Sequence, residues 1–292
     1  MKPAAFTYHA PRSTAEAVAL LASHGDSAKL LAGGQSLVPM MNLRLAQPRH
    51  VIDLNRIAGL DTIRLTGEQL EIGALTPHAA LARATLVRER CPILATAAAT
   101  IGHYAIRTRG TIGGSLAHAD PAAQLPLITI LLDAELEARS PRGTRVIHAA
   151  DFVTGVFTTA LAADELLTAV RLPCLGPREG WGFRLMSRRA GDFAIACAAV
   201  TVTLDAAGRI DHLRAALGGV EPTPVTLGAM AFTQQGRLPD AAWIAALARG
   251  FAASCDPLDD PRVPAEYRRE LAEVLIARAL GDALERARGP SS

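Results

Sequence analysis

This chain has no cluster of thiols of the kind an iron–sulfur centre or a structural zinc requires. Its four cysteines, Cys91, Cys174, Cys197 and Cys255, stand far apart and none belongs to a CxxC pair. Isolated thiols fit buried residues in a reducing compartment, so a cytoplasmic protein is expected. No excess of one charge is present: 30 Lys and Arg against 28 Asp and Glu leave a net +2, with no basic run. That balance argues against nucleic acid or an anionic membrane surface as partner. Aromatic residues make up only 4% of the chain, which suits close helix packing better than the stacking of bases. No apolar run approaches about 18 residues, so no membrane span is expected. The opening Met1-Lys2-Pro3-Ala4 starts no signal-peptide core.

Catalytic fingerprints are missing as well. His9, His24, His50, His78, His103, His118, His148 and His212 form no HExxH and no closely spaced ligand set, so no metal site is expected. There is no GxSxG elbow. The GxGxxG and P-loop fingerprints are also absent. His118-Ala119-Asp120 reads either as a base with its orienter or as a turn histidine beside a helix cap. Asp120 before Pro121 is an ordinary cap-and-N1 pair, which favours the second reading.

What the chain does have is length for two domains, and half its residues are hydrophobic. Ser13-Thr14-Ala15-Glu16 is a capping box that opens a helix, ended by Gly25. With strands at 5–10, 30–32 and 50–54, and a short helix over 39–45, the first residues form a small α/β unit. A hairpin at 63–74, helices from Thr76-Pro77, Pro92 and Asp120-Pro121, paired strands at 134–139 and 144–148, and a strand over 165–172 follow. Beyond a linker at 173–180, three strands are expected at 183–187, 194–204 and 210–217. Amphipathic helices over 240–254 and 266–287 complete the chain. The chain therefore divides near residue 176, with lobes of about 1–56 and 57–176 in the first part and a domain over 177–288 in the second.

Two glycine pairs carry the functional signal. Lys29-Leu30-Leu31-Ala32 runs as an apolar strand into Gly33-Gly34-Gln35-Ser36-Leu37, and Ile106-Arg107-Thr108-Arg109-Gly110-Thr111-Ile112 leads into Gly113-Gly114-Ser115. Glycines can take φ > 0 and present bare N–H groups, and Arg107 and Arg109 add positive charge nearby. Backbone donors plus cations suit a diphosphate, which two such turns could grip from two sides. Taken alone, the second pair could equally be a plain turn beside solvated arginines.

AGGQSLVPMMNLRL and IRTRGTIGGSLAHADPAAQLP, in this order and about 80 residues apart, resemble the two flavin motifs of the FAD-binding medium subunits of molybdenum hydroxylases, the carbon monoxide dehydrogenase and xanthine dehydrogenase family. Asp164-Glu165-Leu166-Leu167, Arg189-Ala190-Gly191-Asp192-Phe193-Ala194 and Gly218-Gly219-Val220-Glu221-Pro222-Thr223-Pro224 extend the resemblance over nearly the whole chain. It implies an α+β fold: a two-lobed FAD-binding domain of the vanillyl-alcohol-oxidase-like (PCMH) type, then a C-terminal domain with a three-stranded antiparallel sheet and helices. It implies noncovalent FAD, held by Ala32, Gly33, Gly34, Gln35, Ser36 and Leu37 of the first motif. From the second motif it adds Ile106, Gly110, Thr111, Ile112, Gly113, Gly114 and Ser115.

Further positions follow from the same resemblance. Ile101 falls where relatives place an apolar residue near the flavin. Gln124 stands where many carry Asp or Glu to a ribityl hydroxyl, or else it is a solvated helix residue. Leu167 matches a residue whose backbone touches the flavin or adenine. Arg184 replaces a frequent Lys, or is a strand-surface arginine. Phe193 matches an aromatic over the isoalloxazine, or is a core phenylalanine. The implied activity is electron transfer in a dimer of heterotrimers. A large subunit would hold molybdopterin, a small one the 2Fe-2S clusters, and an external acceptor such as quinone, NAD or oxygen would take the electrons. A stand-alone flavin oxidase and a non-enzymatic nucleotide-binding module are the alternatives.

Overall fold

The computed structural model describes residues 2–289. Its first lobe is β1 (Thr7–His9), α1 (Thr14–His24), β2 (Ala28–Leu31), α2 (Leu37–Asn42) and β3 (His50–Asp53), with the strands in a parallel sheet of order β1-β3-β2. Helix α1 forms where its cap predicts: Ser13 Oγ accepts from the Glu16 N–H at 3.2 Å, and Gly25 at φ 50° ends it. Its buried Ala17, Val18 and Leu21 pack with Ile52 and Leu54 of the sheet side.

The second lobe begins with β4 (Ile63–Thr66), β5 (Gln69–Gly73), α3 (His78–Arg83), α4 (Thr85–Arg90), α5 (Pro92–Ala99), α6 (Tyr104–Arg107), α7 (Ile112–His118) and α8 (Gln124–Leu131). It closes with β6 (Glu135–Ser140), β7 (Gly143–His148), α9 (Ala149–Phe152), the small hairpin β8 (Val153–Gly155) and β9 (Thr158–Thr159), and β10 (Leu166–Pro173). Five strands form an antiparallel sheet in the order β4-β5-β10-β6-β7, covered by the largest apolar core, to which α5 and α8 contribute most of their side chains. Asp164 and Glu165, just before β10, are fastened to Arg142 and Arg145 of the β6–β7 hairpin at 2.5 and 2.6 Å.

The C-terminal part holds β11 (Gly180–Met186), β12 (Ala196–Leu204), β13 (Ile210–Gly218), β14 (Val225–Thr226), α10 (Ala241–Ala253) and α11 (Ala265–Arg288). The expected three-stranded sheet is in fact four-stranded, because β14 pairs Thr226 with Ala216 and Val225 with Leu217. Two residues after Pro224 carry no period, so only the neighbouring strand reveals them.

The helix expected from Asp120-Pro121 begins at Gln124 instead. Pro126 has no N–H and is tolerated only in a first turn, which places the start near 124. Asp120 accepts from the Ala122 N–H at 2.8 Å, and the Pro121 carbonyl accepts from Gly219 at 2.9 Å. Pro77 precedes α3 as its cap rather than opening it, and the helix after the first glycine pair is Leu37–Asn42 rather than 39–45.

Candidate functional site

Parallel strands β2 and β3 run side by side, Leu31 level with Asp53, and the first glycine pair leaves the carboxyl end of β2. Ligands of open α/β sheets collect beyond such carboxyl ends. Here the loop 32–36 borders an open cleft of about 390 Å³ lined by Leu31, Ala32, Gly33, Gly34, Gln35, Val38, Pro39, Asp53, Asn55 and Arg109. Gly34 takes φ 71°, where a side chain would be strained. None of the N–H groups of residues 33–37 meets an acceptor among the described residues. The loop is held by its carbonyls instead: Gln35 donates to Gly33 O at 2.9 Å and Asn55 donates to Ala32 O at 2.9 Å.

Asn55 is itself positioned by Asp53, whose carboxylate accepts from the Asn55 N–H at 2.9 Å and from the Tyr8 hydroxyl at 2.5 Å. Partial burial alone would raise the Asp53 pKa. The bonds from Tyr8 and Asn55 and the Arg56 charge outweigh it, so the carboxyl lies below its usual range. Tyr8, Asp53 and Asn55 were not among the sequence-derived site residues. The signal that would have found Asp53 and Asn55 is the carboxyl end of the strand neighbouring β2.

The second glycine pair behaves differently from the expectation. Gly113 and Gly114 lie inside α7 and neither takes φ > 0. Their N–H groups are not bare: Ile112 donates to Thr76 O at 3.1 Å, Gly113 to Ala74 O at 2.8 Å, and Gly114 to the capping Thr111 Oγ1 at 3.1 Å. These glycines are needed for close approach. A Cβ on Gly113 would stand 2.5 Å from the Ala74 Cβ, and one on Gly114 would stand 2.9 Å from Thr111 Oγ1 and 3.7 Å from the Ala32 Cβ.

The two motifs meet backbone to backbone. A Cβ on Gly33 would lie 2.0 Å from the Arg109 carbonyl oxygen and 2.8 Å from the Gly110 Cα. The Arg109 side chain borders the cleft and makes no ion pair or side-chain hydrogen bond among the described residues. Arg107 is committed elsewhere, donating to the Ile101 carbonyl at 3.0 Å and to the Gly102 carbonyl at 2.5 Å. Beneath Gly110 lies the His78 ring, 4% exposed. Burial, helped by the Arg107 charge, pushes its pKa down to about 4, so it is neutral near neutral pH.

The remaining sequence-derived residues separate into three groups. Ser36 and Leu37 join the first loop to α2, and Ser115 lies on the first turns of α7. Ile106 packs under Gly102, half-buried Ile101 rests on the main core, and buried Leu167 stands where β10 slips register. Leu167 is stitched to the second motif, because Thr168 O accepts from Ala74 N–H at 2.9 Å and Ala74 O accepts from Gly113.

Gln124 is 5% exposed, which removes the solvated-helix reading. Phe193 is 74% exposed, which removes the core reading. Its loop reaches the first part of the chain: a Cβ on Gly191 would touch the His103 ring at 2.5 Å. Arg184 is engaged by Asp282 of α11 at 2.6 Å, which fits a strand-surface arginine. His118 lies against Phe157, ring centroids 4.9 Å apart, while Asp120 caps its own turn.

Bare N–H donors, an unpaired guanidinium and, across the cleft, an Asp–Asn pair able to bond hydroxyls form a set suited to a diphosphate beside a sugar. Comparison with known proteins shows the family. Residues 4–175 match the family model of the FAD binding domain in molybdopterin dehydrogenase, and residues 181–283 match the CO dehydrogenase flavoprotein C-terminal domain. The chain is similar to the carbon monoxide dehydrogenase medium chain of Hydrogenophaga pseudoflava, at 39% identity over 98% of this chain and 99% of that one. It is also similar to the 6-hydroxypseudooxynicotine dehydrogenase complex subunit alpha of Paenarthrobacter nicotinovorans, at 40% identity over 99% and 97%. Among solved structures, carbon monoxide dehydrogenase from Hydrogenophaga pseudoflava lacking the Mo-pyranopterin moiety superposes with a TM-score of 0.95, at 40% identity over 98% and 99% of the two chains.

Proposed function

The chain belongs to the FAD-binding medium subunits of the molybdopterin dehydrogenases, and from that membership we propose that it is the electron-transferring flavin subunit of a heterotrimeric molybdenum hydroxylase. As an oxidoreductase subunit it would receive electrons from the 2Fe-2S clusters of a small subunit, after a large molybdopterin subunit has oxidised the substrate. It would then pass them to an external acceptor. The assembly proposed is a dimer of heterotrimers in the cytoplasm, with the flavin domain ending near residue 176.

The observation that carries this reading is the row of N–H groups at residues 33–37, unbonded among the described residues, beside Arg109. These residues fit the diphosphate of FAD: the donors would bind it, Arg109 would balance its charge, and Gly33 keeps the two loops in contact. Asp53 and Asn55 suit the ribose hydroxyls on the other rim. Gln124 offers an amide to a ribityl hydroxyl. Phe193, exposed on a loop braced at His103, would offer a flat ring to the flavin. FAD, when bound, supplies the redox chemistry; the protein places and tunes it. Neither glycine loop contains His or Cys, which favours noncovalent attachment. The relatives act on carbon monoxide and on 6-hydroxypseudooxynicotine by their names, yet both align along nearly their whole length with this chain. Substrate choice is therefore assigned to the large subunit.

The test is anaerobic flavin bleaching with the purified chain. Acid should release the yellow cofactor, a chemical reductant should bleach it, and candidate organic substrates should not until both partner subunits are added. Bleaching by a small organic substrate without molybdenum or iron would replace this reading with the stand-alone oxidase.

A further inference from the structure

Eight histidines scattered along the sequence predicted no ligand cluster, but folding brings three together. His9 ends β1, His24 ends α1 and His50 opens β3. The parallel register sets Thr7 and Ala28 level with His50, and His9 level with Ile52. His9 Nε2 lies 3.0 Å from His50 Nδ1, and the His24 and His50 rings stack at 3.7 Å and 8°. One nitrogen from each ring falls within 4.8 Å of the other two, and all three residues are half-buried. We propose that His9, His24 and His50 bind one divalent transition-metal ion of the zinc class through three imidazole nitrogens, with water in the fourth position.

Three imidazoles with no thiolate or carboxylate form a set that favours borderline ions such as zinc, cobalt, nickel and copper over magnesium or calcium. A tetrahedral site with metal–nitrogen bonds of about 2.0–2.1 Å sets its nitrogens roughly 3.3 Å apart. The His9–His50 pair is already near that spacing. A metal lies in the plane of each ring it binds, so His24 and His50 cannot both ligate while stacked. His24 must turn, and its place at the end of a helix, before Gly25, leaves it a solvent side. The ion would tie β1, α1 and β3 together in the lobe that carries the first glycine loop, while touching no residue of the cleft.

The experiment uses the full chain with its flavin, without a polyhistidine tag and stripped with chelator. Zinc chloride is titrated by calorimetry near neutral pH, and the melting midpoint is followed with and without zinc. The expected result is one ion per chain, a midpoint raised by several degrees, and an affinity at least about tenfold weaker in His24→Gln and His50→Gln. His212→Gln, an exposed position on β13, should bind as wild type. If a variant fails to fold, wild-type protein answers instead: zinc should protect His9, His24 and His50, but not His212, from diethylpyrocarbonate, read by mass spectrometry. No saturable binding, binding unchanged by His24→Gln, or protection of thiols in place of these imidazoles would overturn the proposal. Flavin content is read separately, so failure here leaves the proposed electron-transfer role untouched.

Discussion

Replacing Gly33 by Ala tests the joint between the two motifs. The new methyl would lie 2.0 Å from the Arg109 carbonyl oxygen, 2.6 Å from its carbonyl carbon and 2.8 Å from the Gly110 Cα. Carbon contacts settle at about 3.5 Å or more, so the 2.6 Å approach to the carbonyl carbon alone requires the two segments to part by roughly 1 Å. Both sides of the clash are backbone, and no rotamer relieves it. Overpacking costs about 1–3 kcal/mol, and a backbone clash belongs at the upper end. About 3 kcal/mol is more than a hundredfold in the equilibrium between joined and parted loops, and flavin affinity should fall by a similar factor. The assay is the flavin-to-protein absorbance ratio after dialysis, with the dissociation constant from flavin fluorescence and circular dichroism to confirm the fold. Gly114→Ala is the control. Its methyl crowds only a side-chain atom, the capping Thr111 Oγ1 at 2.9 Å, and is otherwise 3.7 Å from Ala32, so it strains the α7 cap rather than the joint between the loops and most of the flavin should remain. Wild-type flavin content in Gly33→Ala, or equal losses in the two variants, would refute the reasoning.

Arg109→Gln should weaken flavin binding by about ten- to a hundredfold, the value of a charge-assisted bond, and leave the melting midpoint of the flavin-free protein unchanged because the side chain has no partner among the described residues. Asn55→Ala removes the bond to the Ala32 carbonyl and should weaken flavin several-fold, about 1 kcal/mol, read by the same fluorescence titration. His78 titrates at about 4 when folded against 6.5 in its reference state. The unfolded chain therefore binds the extra proton between those values, so this group's contribution is constant above about 6.5 and stability is lost as pH falls toward 4, by about 3 kcal/mol. Urea midpoints across that window should slope less in His78→Gln; parallel slopes would show that the imidazole is not buried neutral.

Much of the fold was readable because its signals are local. Ser13 and Glu16, Gly25, Pro92 and Asp240 mark helix ends within a few residues of where they form. The glycine pair Gly33-Gly34 after an apolar strand pointed to a donor-rich loop, and its N–H groups meet no acceptor among the described residues. The lengths of α10 and α11 followed from their apolar period.

Tertiary structure decided what depends on residues distant in sequence. Gly113-Gly114 has the same two letters as the first pair, yet α7 and the carbonyl of Ala74 absorb its donors, so its glycines serve close packing. Tyr8 reaches Asp53 across 45 positions, and Asn55 reaches Ala32 across 23, which set two unsuspected side chains on the cleft. Pro126 moved the start of α8, and β14 exists only because β13 lies beside it. His9, His24 and His50 became neighbours because two adjacent parallel strands and the end of one helix converge. Caps, turns and periods act over a few residues, so the sequence displays them directly. Packing and register are properties of pairs of segments, and no single segment contains them.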